Sequence, residues 1–129
     1  MGISCMSIFV MGIAVLLTCP AFAHHGSAEF DMTKTFTLEG TVTEFRFVNP
    51  HVQIFFDAKD NNGKVLHWTA EANSPSVLRN HGWRKNVIEH GDRATIIGYG
   101  ARNGSTSLHL RKVILSDGRA LDPDGEPPR

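Results

Sequence analysis

The sequence has few cysteines, and both of them, Cys5 and Cys19, fall within its first 23 residues. From residue 24 onward there is no thiol to form a disulfide, attack a substrate or bind a soft metal, so a domain built there rests on its core alone. An excess of either charge is also missing. Thirteen basic and thirteen acidic side chains cancel, which leaves no electrostatic footprint for nucleic acid. Long apolar runs are absent apart from Ile8 to Leu17, which is shorter than the ~20 residues a membrane span needs. Enzyme signatures are lacking too. There is no phosphate-binding glycine loop, no nucleophile elbow and no His-Glu-x-x-His helix.

The apolar run has the length of a secretory h-region, and Ala21-Phe22-Ala23 has the small-x-small form of a signal-peptidase site. Residues 1–23 are therefore expected to be a cleaved signal peptide, although no Lys or Arg precedes the run. Leu16-Leu17-Thr18-Cys19 loosely resembles a lipobox, but Thr18 and Pro20 on either side of the cysteine disfavour lipidation. The expected location is periplasmic or secreted, with no membrane span after cleavage. The mature chain then divides into an N-terminal arm (24–36), a β-rich body (37–116) and a Pro-, Gly- and Asp-rich tail (117–129) expected to be disordered.

Five strands and one helix are expected in the body. Strand one, Thr37 to Val48, carries Leu38 and Val42 on one parity and Phe45 and Phe47 on the other, so one extra residue near Thr43-Glu44 is needed to keep a single buried face. Gly40 marks a bend or close approach. Strand two, His51 to Ala58, and strand three, Lys64 to Ala72, flank the turn Asp60-Asn61-Asn62-Gly63. A three-residue loop ending at a left-handed Gly63 sets Phe56 against Trp68 and Ile54 against Ala70. A two-residue loop would mix core and surface on one face. Ser74 fits a helix N-cap, Pro75 the first helical position and Gly82 the residue past the end, with Trp83 packing back on the body. Strand four is Arg93 to Tyr99. Strand five, Ser107 to Leu115, switches parity between Leu110 and Val113, which implies a second bulge.

Strand-strand-strand-helix-strand-strand is the layout of an OB-fold: all-β with one short helix, a five-stranded barrel. The ligand face of such barrels is the outer surface of strands two and three with the adjoining loops. In the preferred register it carries Gln53, Phe55, Asp57, His67 and Thr69, with Arg102 in the loop after strand four.

His24-His25-Gly26, Glu29-Phe30-Asp31, Asn49-Pro50-His51, Trp68-Thr69-Ala70-Glu71, Gly82-Trp83 and Gly91-Asp92 together resemble a family of small exported bacterial proteins classed as a domain of unknown function. The resemblance implies export and a small β-barrel, and no reaction. Phe47 stands where such sequences often carry Trp.

Two chemistries follow from these residues. All seven histidines lie beyond residue 23. Cleavage after Ala23 would give a chain beginning His24-His25, an amine beside two imidazoles, which suits Cu(II) or a similar divalent metal. His51 and Glu71 are diagonal neighbours across strands two and three, so the candidate metal set is His24, His25, His51 and Glu71. The plain alternative is a metal-free interaction module that takes an envelope peptide, glycan or small ligand on the strand two–three face. Asp57 and His67 are expected to form a surface pair. His81, His90 and His109 are read as structural or incidental.

Overall fold

The computed structural model describes residues 27–125. His24 and His25, and the expected signal peptide, lie outside the described residues. The elements run β1 (Phe30–Arg46), β2 (Gln53–Lys59), β3 (Val65–Glu71), α1 (Pro75–Asn80), β4 (Arg93–Ala101), β5 (Ser107–Leu115) and β6 (Ala120–Leu121), preceded by a single 3-10 turn at Ser27–Glu29. Strand order is β3-β2-β1-β4-β5-β6, and a parallel β3–β5 pairing closes five of the strands into a barrel. This is the OB-like architecture with its helix between the third and fourth strands.

β1 makes the barrel possible by serving two neighbours. Its first part, to Thr41, pairs with β4, and Gly40 to Arg46 pairs with β2. At the crossover a Cβ on Gly40 would stand 2.6 Å from the Asp57 carbonyl oxygen, so the close approach needs glycine. The register shift lies between Val42 and Glu44. Thr43 is the extra residue, and it turns Phe45 and Phe47 toward the side that Val42 fills. In β5 the pairing jumps from Lys112 to Leu110 against consecutive residues of β4. Arg111 is bulged out, so Leu108, Leu110, Val113 and Leu115 are all buried.

The β2–β3 register is the one the alternation demands. Gln53 pairs with Glu71, Ile54 with Ala70, Phe55 with Thr69, Phe56 with Trp68 and Asp57 with His67. The turn closes through Asp60 and Lys64, with Gly63 at φ 81°. Val52, Ile54, Phe56 and Ala70 join the core, and the Phe56 and Trp68 rings stack with centroids 6.4 Å apart. Helix α1 turns Pro75 and Leu78 inward, and Leu78 joins the core. Ser74 occupies the N-cap without a side-chain cap bond, its Oγ meeting Ser76 Oγ at 2.9 Å instead. Gly82 at φ 82° ends the turn, and Trp83 is wholly buried beside Phe45.

Several boundaries differ from expectation: β2 is Gln53–Lys59 rather than His51–Ala58, β3 is Val65–Glu71 rather than Lys64–Ala72, and β4 runs on to Ala101 rather than ending at Tyr99. β1 starts at Phe30 rather than Thr37, so much of the expected arm is strand. Lys34 breaks the apolar alternation of Phe30, Met32, Phe36 and Leu38, and its ammonium lies over the Phe36 ring at 5.5 Å. The same strand ends at Arg46, and Val48 is exposed in the turn that follows. Within the expected tail, Ala120–Leu121 forms β6 against Val113 and Ile114, and Leu121 and Pro123 are buried. Backbone pairing and two apolar side chains outweigh the polar composition around them. Among the described residues no helix is long and apolar enough to cross a membrane.

Candidate functional site

The strand alternation that buries Ile54, Phe56 and Ala70 necessarily turns Gln53, Phe55, Thr69 and Glu71 outward. These four side chains floor a groove of about 590 Å³. One wall is the loop after β4, with Arg102, Asn103 and Ser105. The other groups are Ser107 and Leu108 at the start of β5, and Glu29 and Phe30 where the described chain begins.

Loop and chain start are tied together. The Arg102 backbone N–H donates to the Glu29 carbonyl at 2.9 Å, and Arg102 Nε donates to the Ala28 carbonyl at 3.1 Å. The Asn103 side chain accepts from the Ser105 N–H at 3.0 Å, and Gly104 takes the left-handed conformation at φ 77° that the tight turn requires. Phe55 is held from the β1 side by the Arg46 guanidinium, 4.7 Å from the ring centroid. Glu44 in turn grips Arg46 at 2.6 Å. That hydrogen bond first, and the Glu44 charge second, raises the affinity of Arg46 for its proton.

At one end of the groove sits the histidine–carboxylate pair. His51 Nδ1 lies 2.5 Å from Glu71 Oε1, both side chains being partly exposed. The pairing begins just before β2: the Val52 N–H donates to the Asn73 carbonyl at 3.1 Å and the Ala72 N–H donates to the Val52 carbonyl at 2.9 Å, which carries His51 to the diagonal of Glu71. The other carboxylate oxygen of Glu71 accepts from Gln53 Nε2 at 3.5 Å.

The expected residues therefore divide. Gln53, Phe55, Thr69, Arg102 and Glu71 line one groove, and His51 holds Glu71. Asp57 and His67 lie further along the same face and form their own pair, His67 Nδ1 to Asp57 Oδ1 at 2.5 Å, with His67 almost fully exposed. Asp57 borders a different hollow with Gly40 and Lys59. Among the described residues no three His, Cys, Asp or Glu side chains converge on one point, so His51 and Glu71 stand as a pair there.

Of the remaining histidines, His81 caps α1 and reaches the Gly125 carbonyl at 2.5 Å. His109 lies between the rings of Phe30 and Tyr99. Glu29, Phe30 and Ser107 were not expected in the groove. The Phe30, Met32, Phe36, Leu38 alternation was the signal that could have extended β1 back to them.

A small OB-like barrel with a mixed polar and aromatic groove on its strand two–three face defines the class. The chain belongs to a family of unknown function, DUF6152, whose family model matches residues 13–109. Neither the curated proteins nor the solved structures contain a significant match.

Proposed function

We propose that this is an exported OB-like binding protein that takes copper, or a similar divalent metal, through His24 and His25 together with His51. Export follows from the signal-like segment before residue 24, and the periplasm or the exterior is the expected location. The observation that carries the reading is the 2.5 Å contact between His51 Nδ1 and Glu71 Oε1. A carboxylate on Nδ1 leaves Nε2 as the ring's metal-binding atom and fixes its tautomer, which is the usual support of a ligating histidine. Glu71 then serves as the group behind the ligand. Its position also suits the arm. Glu71 lines the same groove as Glu29 and Phe30, and an extended chain covers ~3.3–3.6 Å per residue, so His25 is separated from Ser27 by only about 7 Å of chain. Cu(II) titration of protein with the native start at His24 tests the reading. Submicromolar binding that is lost when one residue is added before His24 is the expected result. Weak binding, or binding indifferent to the added residue, would sink it.

A second reading is favoured by the groove itself. Phe30 and Phe55 stand among Gln53, Thr69, Asn103 and Ser107, a lining suited to a metal-free envelope ligand. In that case removal of His24 and His25 leaves ligand capture intact, and Phe55→Ala weakens it. No reaction is assigned under either reading.

A further inference from the structure

We infer that the groove takes a neutral, polyhydroxylated ring ligand, a short uncharged oligosaccharide, rather than a peptide, a phosphate ester or a lipid; the inference rests on the second reading above. Its volume of about 590 Å³ lies within the ~300–1,000 Å³ of small-ligand sites.

Charge excludes anions first. Arg102 is the only Lys or Arg among the described residues that line the groove, and its Nε is already committed to the Ala28 carbonyl. Two carboxylates, Glu29 and Glu71, share the lining. With Arg102 set against two carboxylates, the lining has no excess of positive charge to draw a phosphate or an acidic sugar. A lipid tail is excluded by the uncharged polar groups of Gln53, Thr69, Asn103 and Ser105, which an apolar occupant would strip of water without return.

A peptide bound as an added strand needs an unpaired sheet edge. Where it underlies the groove, β3 has none. Thr69, Ala70 and Glu71 pair with Phe55, Ile54 and Gln53 on one side and with Ser107, Leu108 and His109 on the other. Recognition must therefore run through side chains. What the side chains offer is one aromatic ring already fixed on its β1 side by Arg46, a second ring at Phe30, and amides and hydroxyls around them. A sugar ring presents the complement: C–H faces for the rings and hydroxyls that both donate and accept. A ring fixed before binding loses little entropy on contact.

Titration of isotope-labelled full-length mature protein with chitotetraose, cellotetraose and maltotetraose, read by backbone amide shifts, tests this. The expected result is saturation by at least one sugar, with shifts centred on Gln53, Phe55, Thr69 and Asn103. Phe55→Ala and, independently, Gln53→Ala should weaken it by about tenfold while the spectrum stays folded. No response from those amides up to about 10 mM sugar, or unchanged affinity in both variants, overturns the inference. Saturation of the groove by tetra-alanine or inorganic phosphate but by no sugar overturns the ligand class and leaves the groove reading standing. Sugar shifts on another face overturn both. The copper reading is untouched by any of these outcomes.

Discussion

His51 and Glu71 meet at 2.5 Å although nineteen residues of chain, a hairpin turn and most of two strands separate them. The pair joins the turn after β1 to the end of β3, and so to the groove, with the imidazole and the carboxylate both partly open to solvent. Because Glu71 also accepts from Gln53, its carboxylate is oriented from two sides.

That geometry separates ligand from support in the metal reading. His51→Ala removes a ligand, and Glu71→Gln keeps the shape while replacing the charged acceptor. Glu71→Gln is expected to lower copper affinity by about 10–100-fold, and His51→Ala by more. Competition titration against a copper chelator checks the order. Equal affinity in wild type and both variants would show that His24 and His25 act without the barrel.

Thr43 sets the handedness of burial in β1. Deleting it removes the register shift between Val42 and Glu44, and every residue beyond it changes face. Phe45 and Phe47, which pack on the core, would turn to solvent. The deletion is expected to abolish cooperative unfolding or to cost at least about 3 kcal/mol, the scale of losing a buried aromatic. A denaturation curve indistinguishable from wild type would mean the chain re-forms a bulge nearby.

Much of this was legible because alternation is a strong constraint. The bulge at Thr43, the Phe56–Trp68 register and the turn at Gly63 each follow from requiring one continuous buried face. The His51–Glu71 diagonal and the Gln53, Phe55, Thr69 face then follow from register alone. The extended start of β1 was harder to read, because Lys34 interrupts the alternation of Phe30, Met32, Phe36 and Leu38. Asp31 folds back locally, its carboxylate accepting from the Thr33 hydroxyl at 2.6 Å and backbone at 3.1 Å, while the β4 pairing slips between Phe30 and Thr35. Glu29 and Phe30 reached the groove through that irregularity, which no periodicity announces. The strand Ala120–Leu121 was hidden for a related reason: two residues are too few to show a period, and their burial depends on an edge that β5 supplies.

Leu121 tests how much that short strand matters. It is 3% exposed and sits where Asp122 and Gly125 bond Trp83 and His81. Leu121→Ala is expected to destabilise the protein by about 2–4 kcal/mol, measured by urea unfolding. A loss under about 0.5 kcal/mol, the size of an ordinary surface change, would mean that β6 merely rests on the barrel.

The turn leading into β6 carries an acid-sensitive latch. Asp117 accepts from the Arg119 backbone N–H at 2.9 Å and from Arg119 Nε at 2.7 Å. These bonds, the backbone one first, hold its carboxyl below the ordinary carboxylate range. A depressed folded pKa means that the contribution is complete above the unfolded value of ~3.9 and is lost as pH falls through the lower folded value. The side chain is exposed, so the effect is local order rather than global stability. The carboxyl carbon of Asp117 should titrate below those of ordinary exposed aspartates. Amide exchange at Arg119 and Leu121 should accelerate across the same interval, and Asp117→Asn should flatten that dependence. A midpoint for Asp117 at the ordinary value, with exchange at Leu121 indifferent to pH beyond its intrinsic trend, would remove the latch and leave Arg119 Nη1 on the Val87 carbonyl as the turn's hold on the barrel.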